Sequence, residues 1–155
     1  MMEIREAKLE DIPQLMKLEK SLFSKWDEFD PIDKINIEWF SSEDHKKHLT
    51  DILKDNKNKV FVSVNKGNIV GYLKANLFCR EPFLEKIGYV SELYVEKSYR
   101  SQGVGKQLLE EAIKWFKQQK LKWTTTSTHL LDSEAIIFWK KIGYEEFNTF
   151  FKMKL

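Results

Sequence analysis

The sequence predicts an α/β fold of the α+β kind, in which a mixed but mostly antiparallel sheet of about six to seven strands is flanked by about four helices. β-rich stretches alternate with amphipathic helical patterns along the 155 residues. Two neighbouring β-rich stretches are separated only by Asn65, Lys66 and Gly67, a hairpin signal that makes this pair antiparallel. The chain is long enough to bury a core, so we expect one domain over residues 1–155.

The first half of the chain is predicted to form a strand, two helices and a hairpin. An aspartate or serine just before a helical pattern can accept a hydrogen bond from the first turn, so Asp11 and Ser41 or Ser42 are expected caps. In chain order we expect a strand at 3–7, a helix from Asp11, a loop or broken helix at 26–40 around Pro31, a helix ending at Asn56 and Asn58, and strands at 59–64 and 68–78.

The second half of the chain is predicted to alternate strands with helices. The β-branched run at 121–128 favours a strand. Gly143 is expected to end the last helix, because glycine readily adopts the left-handed conformation found there. In chain order we expect a loop at 79–88, a strand at 89–96, a helix after Gly103, a strand at 121–128, a helix at 133–143 and a closing strand at 144–155.

Composition argues against several classes of protein. A formal net charge of +2 gives no support for a dedicated nucleic-acid binder. No run approaches the roughly 18 apolar residues of a membrane span, and the charges throughout residues 1–12 do not fit a signal peptide. Cys79 is the lone cysteine and fits a reducing compartment. We therefore expect a cytoplasmic protein that binds neither nucleic acid nor membrane.

Arg100, Gly103 and Gly105 form an R-x-x-G-x-G spacing between a predicted strand and a predicted helix. Free N–H groups at a helix start attract phosphate, and glycines let a bulky anion approach them. Lys106 could add a charged contact, and a tight turn without a ligand is the alternative. A P-loop would need Ser or Thr where Gln107 stands, and a dinucleotide-binding turn would need a further glycine.

Two stretches resemble the motifs of GNAT N-acetyltransferases. "SELYVEKSYRSQGVGKQLLEEA" (91–112) is similar to their acetyl-CoA motif, and "DSEAIIFWKKIGY" (132–144) is similar to a second motif downstream. The predicted order of strands and helices also resembles that fold, so the likeness covers nearly the whole chain. It implies one N-acetyltransferase domain whose fourth and fifth strands splay apart.

The resemblance implies acetyl-CoA as co-substrate and no metal. Backbone N–H groups from Ser101 to Lys106 would hold the pyrophosphate, and backbone groups of Leu93 and Val95 would pair with the pantetheine arm. Asp132 stands where the family usually has an asparagine that contacts the pantetheine. The implied cofactor-binding residues are Leu93, Tyr94, Val95, Arg100, Ser101, Gln102, Gly103, Val104, Gly105, Lys106 and Asp132.

Glu92 is the candidate general base, because an amine must lose a proton before acetyl transfer and a carboxylate can take it directly or through water. An ion pair or an exposed strand residue is the alternative for Glu92. Trp139 stands at the position where the family usually has a tyrosine as general acid, and an indole N–H is a poor proton donor. Tyr144, Tyr94 or water could replace that acid, and Trp139 would then serve packing beside the cofactor channel.

The predicted loop after the first helix offers acidic and aromatic residues to an acceptor. Trp26, Asp27, Glu28 and Asp30 would attract a cationic amine through charge and cation–π contacts. The acceptor would be a small cationic amine, a polyamine or a protein amino group. A solvated loop with hydrophobic anchors is the alternative.

The three histidines suggest weaker candidate sites. His45 and His48 have a spacing that can bind zinc, but their charged helix favours a solvated face. His129 follows the fifth predicted strand and could contact substrate or cofactor.

The function indicated is acetyl transfer from acetyl-CoA to a primary amine, by a monomer or homodimer. The alternative is a CoA-binding sensor or interaction module that has lost catalysis, which Trp139 and Asp132 favour. A phosphate- or nucleic-acid-binding protein is disfavoured by the balanced charge.

Overall fold

The computed structural model describes residues 2–30 and 32–155, and its centre is a five-stranded sheet with the strand order β1-β2-β3-β4-β5. The strands are β1 (Glu3–Glu6), β2 (Asn58–Asn65), β3 (Asn68–Phe78), β4 (Ile87–Val95) and β5 (Thr124–Thr126). Neighbouring strands are antiparallel except β4 and β5, which are parallel. The helices are α1 (Ile12–Phe23), the single turn α2 (Trp26–Phe29), α3 (Glu43–Lys54), α4 (Val104–Gln118) and α5 (Ser133–Lys141). The predicted α+β class is confirmed.

Each face of the sheet carries its own hydrophobic core. Helices α4 and α5 cover one face around Leu73, Leu108 and Trp139, whereas α1 and α3 cover the other around Leu15 and Leu49. Successive side chains of a strand point to opposite faces. Leu93 and Val95 of β4 accordingly pack on the α4 side, and Tyr94 between them packs on the α1 and α3 side. One strand therefore serves two different surfaces.

The local signals for the hairpin and for α3 act as predicted. Lys66 and Gly67 have φ angles of 49° and 81°, which is the left-handed geometry of a tight hairpin turn. Ser42 caps α3 by accepting a hydrogen bond from the His45 N–H at 3.2 Å. Pro31, one of the signals for the loop before α3, lies outside the described residues.

The predicted cap of α1 is wrong, because Asp11 is engaged elsewhere. Its carboxylate accepts two hydrogen bonds from the Arg5 guanidinium, at 2.7 and 3.0 Å, and one from the Lys8 N–H at 2.7 Å. The bond from Arg5 holds the pKa of Asp11 below its usual value. Asp11 therefore ties β1 to the approach to α1 and leaves the helix N–H groups without its side chain.

The sheet has five strands in the described part of the chain, so the expectation of about six to seven was too high. Residues 144–155 form no strand, and β5 covers only three of the eight residues predicted. A strand needs an edge to pair with, and β5 offers an edge of three residues. Phe147, Phe150 and Phe151 consequently lie exposed. Among the described residues, no helix combines the length and apolarity needed to cross a membrane.

Candidate active site

A bulge shapes the strand that carries the candidate base. Lys74 of β3 lies opposite Glu92, whereas the next residue, Ala75, lies opposite Val90. Ser91 is therefore an extra residue on β4, and its hydroxyl donates to the Lys74 carbonyl at 3.3 Å. Bulges bend a strand and redirect side chains near active sites. Here the bulge places Glu92 directly across from Lys74.

Among the described residues, no strand pairs with the edge of β4 beyond the bulge on the β5 side. The parallel ladder between β4 and β5 ends at Val90 and Thr126, although β4 continues to Val95. Alternate residues of a strand direct their backbone groups to opposite sides. Glu96 donates its N–H to β3, at the Val70 carbonyl, so the backbone groups of the preceding Val95 point away from β3.

The same alternation directs the backbone groups of Leu93 towards the open side of β4. That edge can hydrogen-bond an extended ligand in the way that a strand adds to a sheet. The Val95 carbonyl on this edge already accepts a hydrogen bond from Arg100 Nε at 2.9 Å. Two donors, the N–H groups of Leu93 and Val95, and one acceptor, the Leu93 carbonyl, remain for a ligand on this edge.

The start of α4 is shaped by Gly103, the first glycine of the candidate anion-binding turn. Gly103 precedes the helix with a φ of +82°, and a Cβ added there would meet nothing within 4 Å. A Cβ on Gly105 would lie 3.3 Å from the Phe138 ring, so this second glycine serves close packing. The first N–H groups of a helix, here from Val104 to Lys106, have no partner within the helix. Gly103 adds no side chain to the open space at this end of the helix.

Arg100 connects the end of β4 to α5. Besides the Val95 carbonyl, its guanidinium pairs with the Glu134 carboxylate at 3.3 Å and lies 5.7 Å from the centre of the Tyr94 ring. Gln102 donates to the Ser98 carbonyl within the loop at 2.9 Å. These contacts brace the loop from both sides, which is a structural role for the arginine and the glutamine of the motif.

Glu92 is held through both carboxylate oxygens. The Tyr72 hydroxyl donates to Oε2 at 2.8 Å and Lys74 Nζ donates to Oε1 at 3.0 Å. The Glu92 side chain keeps 15% of its surface exposed. Burial raises the pKa of Glu92, the charge of Lys74 opposes this rise, and the charge of Glu19 adds to it. A carboxyl group with a raised pKa is a stronger base when it is ionised.

A line of buried charged groups continues from Glu92 to α3. Lys74 Nζ lies 2.9 Å from Glu19 Oε1, an ion pair whose angles fall outside those of a hydrogen bond. The other oxygen of Glu19 lies 2.5 Å from His45 Nε2, and His45 Nδ1 lies 2.9 Å from the Phe40 carbonyl. Helices α1 and α3 thus each contribute one ionisable group to a line that reaches the candidate base through Lys74.

Sequence reasoning missed Glu19, Lys74 and Tyr72, and it placed His45 wrongly on a solvated face. His45 is fully buried, because its two ring nitrogens find partners inside the protein. A signal for this cluster was present in the sequence. Glu19 falls on the apolar face of its helix, and Lys74 interrupts an otherwise apolar stretch of β3. A charged residue at an apolar position of each element indicates internal partners.

Trp139, at the usual position of the acid, and Tyr144, one of its two candidate replacements, belong to the α4 side of the sheet. Trp139 is buried and makes edge contacts with Phe138 and Tyr144, with ring centres 5.1 and 5.0 Å apart. The Tyr144 hydroxyl contacts the Thr124 hydroxyl at 3.1 Å.

The ladder position of that contact argues against Tyr144 as the acid. Thr124 pairs with Gly88, four residues before Glu92 on β4, a separation of about 13 Å along a strand. Burial also raises the pKa of Tyr144, which makes it a weaker acid. Tyr94 lies closer to the base, with its ring centre 6.3 Å from that of Tyr72.

The Asp132 side chain caps the start of α5. Its Oδ1 accepts a hydrogen bond from the Ala135 N–H at 3.1 Å, which is an N-cap. The contact with pantetheine that the resemblance implied would have to compete with this cap.

The acidic residues of the candidate acceptor loop partly hold the loop itself. Asp27 Oδ1 accepts from the Ile35 N–H at 3.2 Å. Asp30 Oδ1 accepts from the N–H groups of Ile32 and Asp33, at 2.8 and 3.2 Å, and these bonds lower the pKa of Asp30. The lowered pKa keeps Asp30 negatively charged at this surface.

The rest of the α2 turn faces the end of β5. The Phe29 ring centre lies 6.5 Å from that of His129, which follows β5. Trp26 packs on Phe23, with ring centres 5.5 Å apart, while Glu28 is exposed. The loop therefore lies beside the place where β4 and β5 part, and His129 lies there too.

Comparisons with known proteins agree with this architecture. Residues 56–146 match the family described as the acetyltransferase (GNAT) domain. The chain is 25% identical over 150 residues to an N-alpha-acetyltransferase of Sulfurisphaera tokodaii, covering 92% of this chain and 80% of that one.

Solved structures show the same fold at low identity. A mutant of the BH1408 protein from Bacillus halodurans superposes with a TM-score of 0.87 at 19% identity, covering 99% of both chains. The aminoglycoside N-acetyltransferase AAC(6')-Iy in complex with CoA superposes with a TM-score of 0.78 at 18% identity, covering 99% of this chain and 95% of that one. The family match spans more than half of the chain, and the chain belongs to the GNAT family of acetyl-CoA-dependent N-acetyltransferases.

Proposed function

We propose that the protein transfers the acetyl group of acetyl-CoA to a primary amine, with Glu92 taking the proton that the amine releases. The observation that carries this proposal is the position of Glu92. It follows the bulge at Ser91, two residues past the end of the β4–β5 ladder, and it faces α1 and α3. The base and the open strand edge thus occupy neighbouring positions of one strand.

The residues that would hold acetyl-CoA are those of β4 and the start of α4. The N–H groups from Val104 to Lys106 would bind the pyrophosphate, and the open space at Gly103 fits a bulky anion. Leu93 and the Val95 N–H would pair with the pantetheine. An N–H of this edge would also polarise the thioester carbonyl. Arg100 and Asp132 keep structural roles in this proposal, because both are engaged within the protein.

The transfer step balances without a side-chain acid. The cationic amine gives one proton to Glu92, directly or through water, and its neutral nitrogen attacks the thioester carbonyl carbon. After the attack the nitrogen releases a second proton to water. The carbon–sulfur bond breaks, and the electron pair leaves with the CoA sulfur as a thiolate. A thiol has a pKa of about 8.5, so the thiolate is a tolerable leaving group and water can protonate it afterwards. The buried Trp139 then needs no role in proton transfer.

The acidic surface beside the cleft suits a cationic amine as the acceptor, which would approach between α1, α3 and the sheet. Asp27, Glu28 and Asp30 supply negative charge on the loop beside the cleft, which would steer a cation towards Glu92. The relative from Sulfurisphaera is an N-alpha-acetyltransferase and the structural neighbour an aminoglycoside N-acetyltransferase. These names support a protein amino group or a small polyamine-like molecule as the acceptor class.

An amine panel with acetyl-CoA tests the proposal. Peptides with free α-amino groups, polyamines and aminoglycosides are incubated with the enzyme, and release of CoA thiol is followed. We expect at least one cationic class to release thiol, and Glu92→Gln to lose most of that rate. The control Glu6→Gln removes an exposed carboxylate of β1 that pairs with Lys59, and it should keep the rate. Thiol release that is equal in both variants would contradict the role of Glu92.

A CoA-binding sensor without catalysis is the second candidate. The packing of Trp139 in the core and the use of Asp132 as a helix cap favour it. Calorimetric binding of acetyl-CoA with no thiol release for any amine would support the sensor. Thiol release with any amine would rule it out.

A further inference from the structure

Three ionisable side chains on the α1 and α3 side of the sheet are buried without contacting the cleft. Glu19, His45 and Lys74 are exposed by only 2%, 0% and 6%. They come from α1, α3 and β3, and they meet at one place. Charged groups of this kind are rarely buried unless they are paired. Each of the three has an oppositely charged partner within this group or in Glu92.

The hydrogen bonds assign a charge to each member of the line. The Phe40 carbonyl and the Glu19 carboxylate can only accept, so both ring nitrogens of His45 carry protons. Burial alone lowers the pKa of His45, but its bonds to Glu19 and Phe40 raise it above the ordinary value. Burial opposes the ionisation of Glu19 as well, but His45 and Lys74 lower its pKa.

Lys74 completes an alternation of charges. Burial lowers the pKa of Lys74, but the charges of Glu92 and Glu19 raise it above the ordinary value, so it keeps its proton. The order is then His45 positive, Glu19 negative, Lys74 positive and Glu92 negative. Each charge has opposite neighbours, and the set is neutral as a whole.

This line does not conduct protons to solvent. Its far end is closed, because His45 is fully buried and its Nδ1 is bound to the Phe40 carbonyl. Lys74 in the middle has no tendency to give up its proton. Lys74 Nζ instead bridges Glu92 and Glu19, at 3.0 and 2.9 Å. The geometry suits a group that holds a carboxylate in place.

We propose that Lys74 is a positioning residue for acetyl transfer, which holds the Glu92 carboxylate at the cleft and is itself held by Glu19 and His45. This inference rests on the proposed function, in which Glu92 takes the proton of the amine. It adds three residues that do not touch either substrate.

The proposal predicts that substitutions of Lys74 and Glu19 shift the pKa of Glu92 in opposite directions. Glu92 is faced by Lys74 and Tyr72 from β3, Glu19 from α1 and Tyr94 from its own strand, with His45 of α3 behind Glu19. Lys74→Gln removes the positive neighbour and should raise the pKa of Glu92. Glu19→Gln removes the negative neighbour and should lower it.

The test measures the ionisation of Glu92 and the rate separately. The carboxyl carbon of Glu92 is titrated by NMR in the carbon-13-labelled protein without substrates, and its signal is identified by its loss in Glu92→Gln. The pH dependence of kcat/KM is recorded with the best amine of the panel. Lys59→Gln is the control, since it removes a lysine of β2 that pairs with Glu6 at 2.7 Å away from this cluster.

We expect the titration of Glu92 and the acidic limb of the rate profile to move together. Both should move to higher pH in Lys74→Gln and to lower pH in Glu19→Gln, and both should stay in place in Lys59→Gln. Glu19→Gln keeps the size of the side chain and provides the test if Lys74→Gln folds poorly. Loss of activity in both variants with an unmoved Glu92 titration would overturn the positioning role, since general destabilisation explains such a loss.

The titration also separates this inference from the proposed function. If Glu92→Gln keeps the wild-type rate, the proposed base is wrong, whatever the titration shows. If Glu92→Gln is inactive but Glu92 titrates alike in all variants, the base stands and the positioning role of Lys74 is overturned.

Discussion

The Tyr72 hydroxyl donates a 2.8 Å hydrogen bond to Glu92 Oε2 from a fully buried ring. Burial, together with the nearby charge of Glu92, raises the pKa of Tyr72 well above the ordinary value, so this hydroxyl stays a donor. A bond to the ionised form of a carboxyl group lowers its pKa. Tyr72 therefore restrains the rise that burial causes at Glu92.

Tyr72→Phe should move the acidic limb of the kcat/KM profile to higher pH, because the ionised form of Glu92 loses a donor. Its stability should fall by about 0.5–1.5 kcal/mol, the usual net value of a hydrogen bond. The control Tyr89→Phe removes a hydroxyl that bonds Ser127 at the exposed surface of the sheet. An unmoved limb in Tyr72→Phe would mean that the hydrogen bond serves folding alone.

Glu92→Gln should lower turnover at neutral pH by about 10²–10⁴-fold, the usual contribution of a general base. The loss should shrink as pH rises, because solution base then supplies the neutral amine. Steady-state rates across the alkaline range check this. A loss that is constant with pH would assign Glu92 a role other than proton removal.

Gly103→Ala should weaken binding of acetyl-CoA, because a methyl group would narrow the open space at the start of α4, where we propose that the pyrophosphate binds. Gly67→Ala is a matched control, since Gly67 has a φ of +81°, close to the +82° of Gly103, and an equally open Cβ position in a distant turn. The left-handed conformation costs about 1–2 kcal/mol in both variants. Calorimetry should find weaker binding for Gly103→Ala alone. Equal affinities would show that Gly103 serves only the turn.

Trp139→Phe should keep turnover within roughly tenfold, a barrier change of about 1.4 kcal/mol, because the ring packs in the core and transfers no proton. Stability should fall by about 1–3 kcal/mol from the smaller side chain. Kinetics at saturating acetyl-CoA and urea denaturation check the two expectations. A hundredfold slower enzyme that binds acetyl-CoA normally would give the indole N–H a part in catalysis.

The contribution of the His45–Glu19 pair to the free energy of unfolding should decrease as pH rises. The pKa of His45 is raised in the folded chain, so its stabilising effect is complete below about pH 6.5 and is lost as pH rises through the folded-state pKa. The advantage of the wild type over His45→Gln should therefore shrink with rising pH, by at most about 1.4 kcal/mol per pH unit. Urea denaturation of both proteins from about pH 6 to about pH 10 measures the difference. A constant difference would mean that His45 is neutral in the folded protein.

Features set by neighbouring residues could be predicted from the sequence. The turn at Lys66 and Gly67, the cap at Ser42 and the helix start at Gly103 each depend on a few adjacent positions. The roles of Glu19 and Lys74 depend on contacts between residues far apart in the chain, which no local pattern specifies. Asp11 shows that a nearby contact can also override a local tendency, because its bond to Arg5, six residues earlier, replaces the cap of α1.

The closing strand failed for a related reason. Residues 144–155 have strand-forming composition, but forming a strand needs a partner edge whose length only the tertiary structure sets. The order of elements and the glycine loop, by contrast, carried the resemblance to the family that the match over residues 56–146 confirms.

Because Ser91 is an extra residue, the number of residues in β4 determines which face of the sheet each side chain takes. Val90 and Leu93 face the α4 side although three positions separate them, and the bulge absorbs the odd step. Losing one residue here would exchange the inward and outward assignments of everything from Glu92 to Val95. The Glu92 carboxylate would then point into the hydrophobic core of the α4 side, and Leu93 and Val95 would point towards Tyr72. A substitution in this segment should therefore disturb the site less than the deletion of one residue.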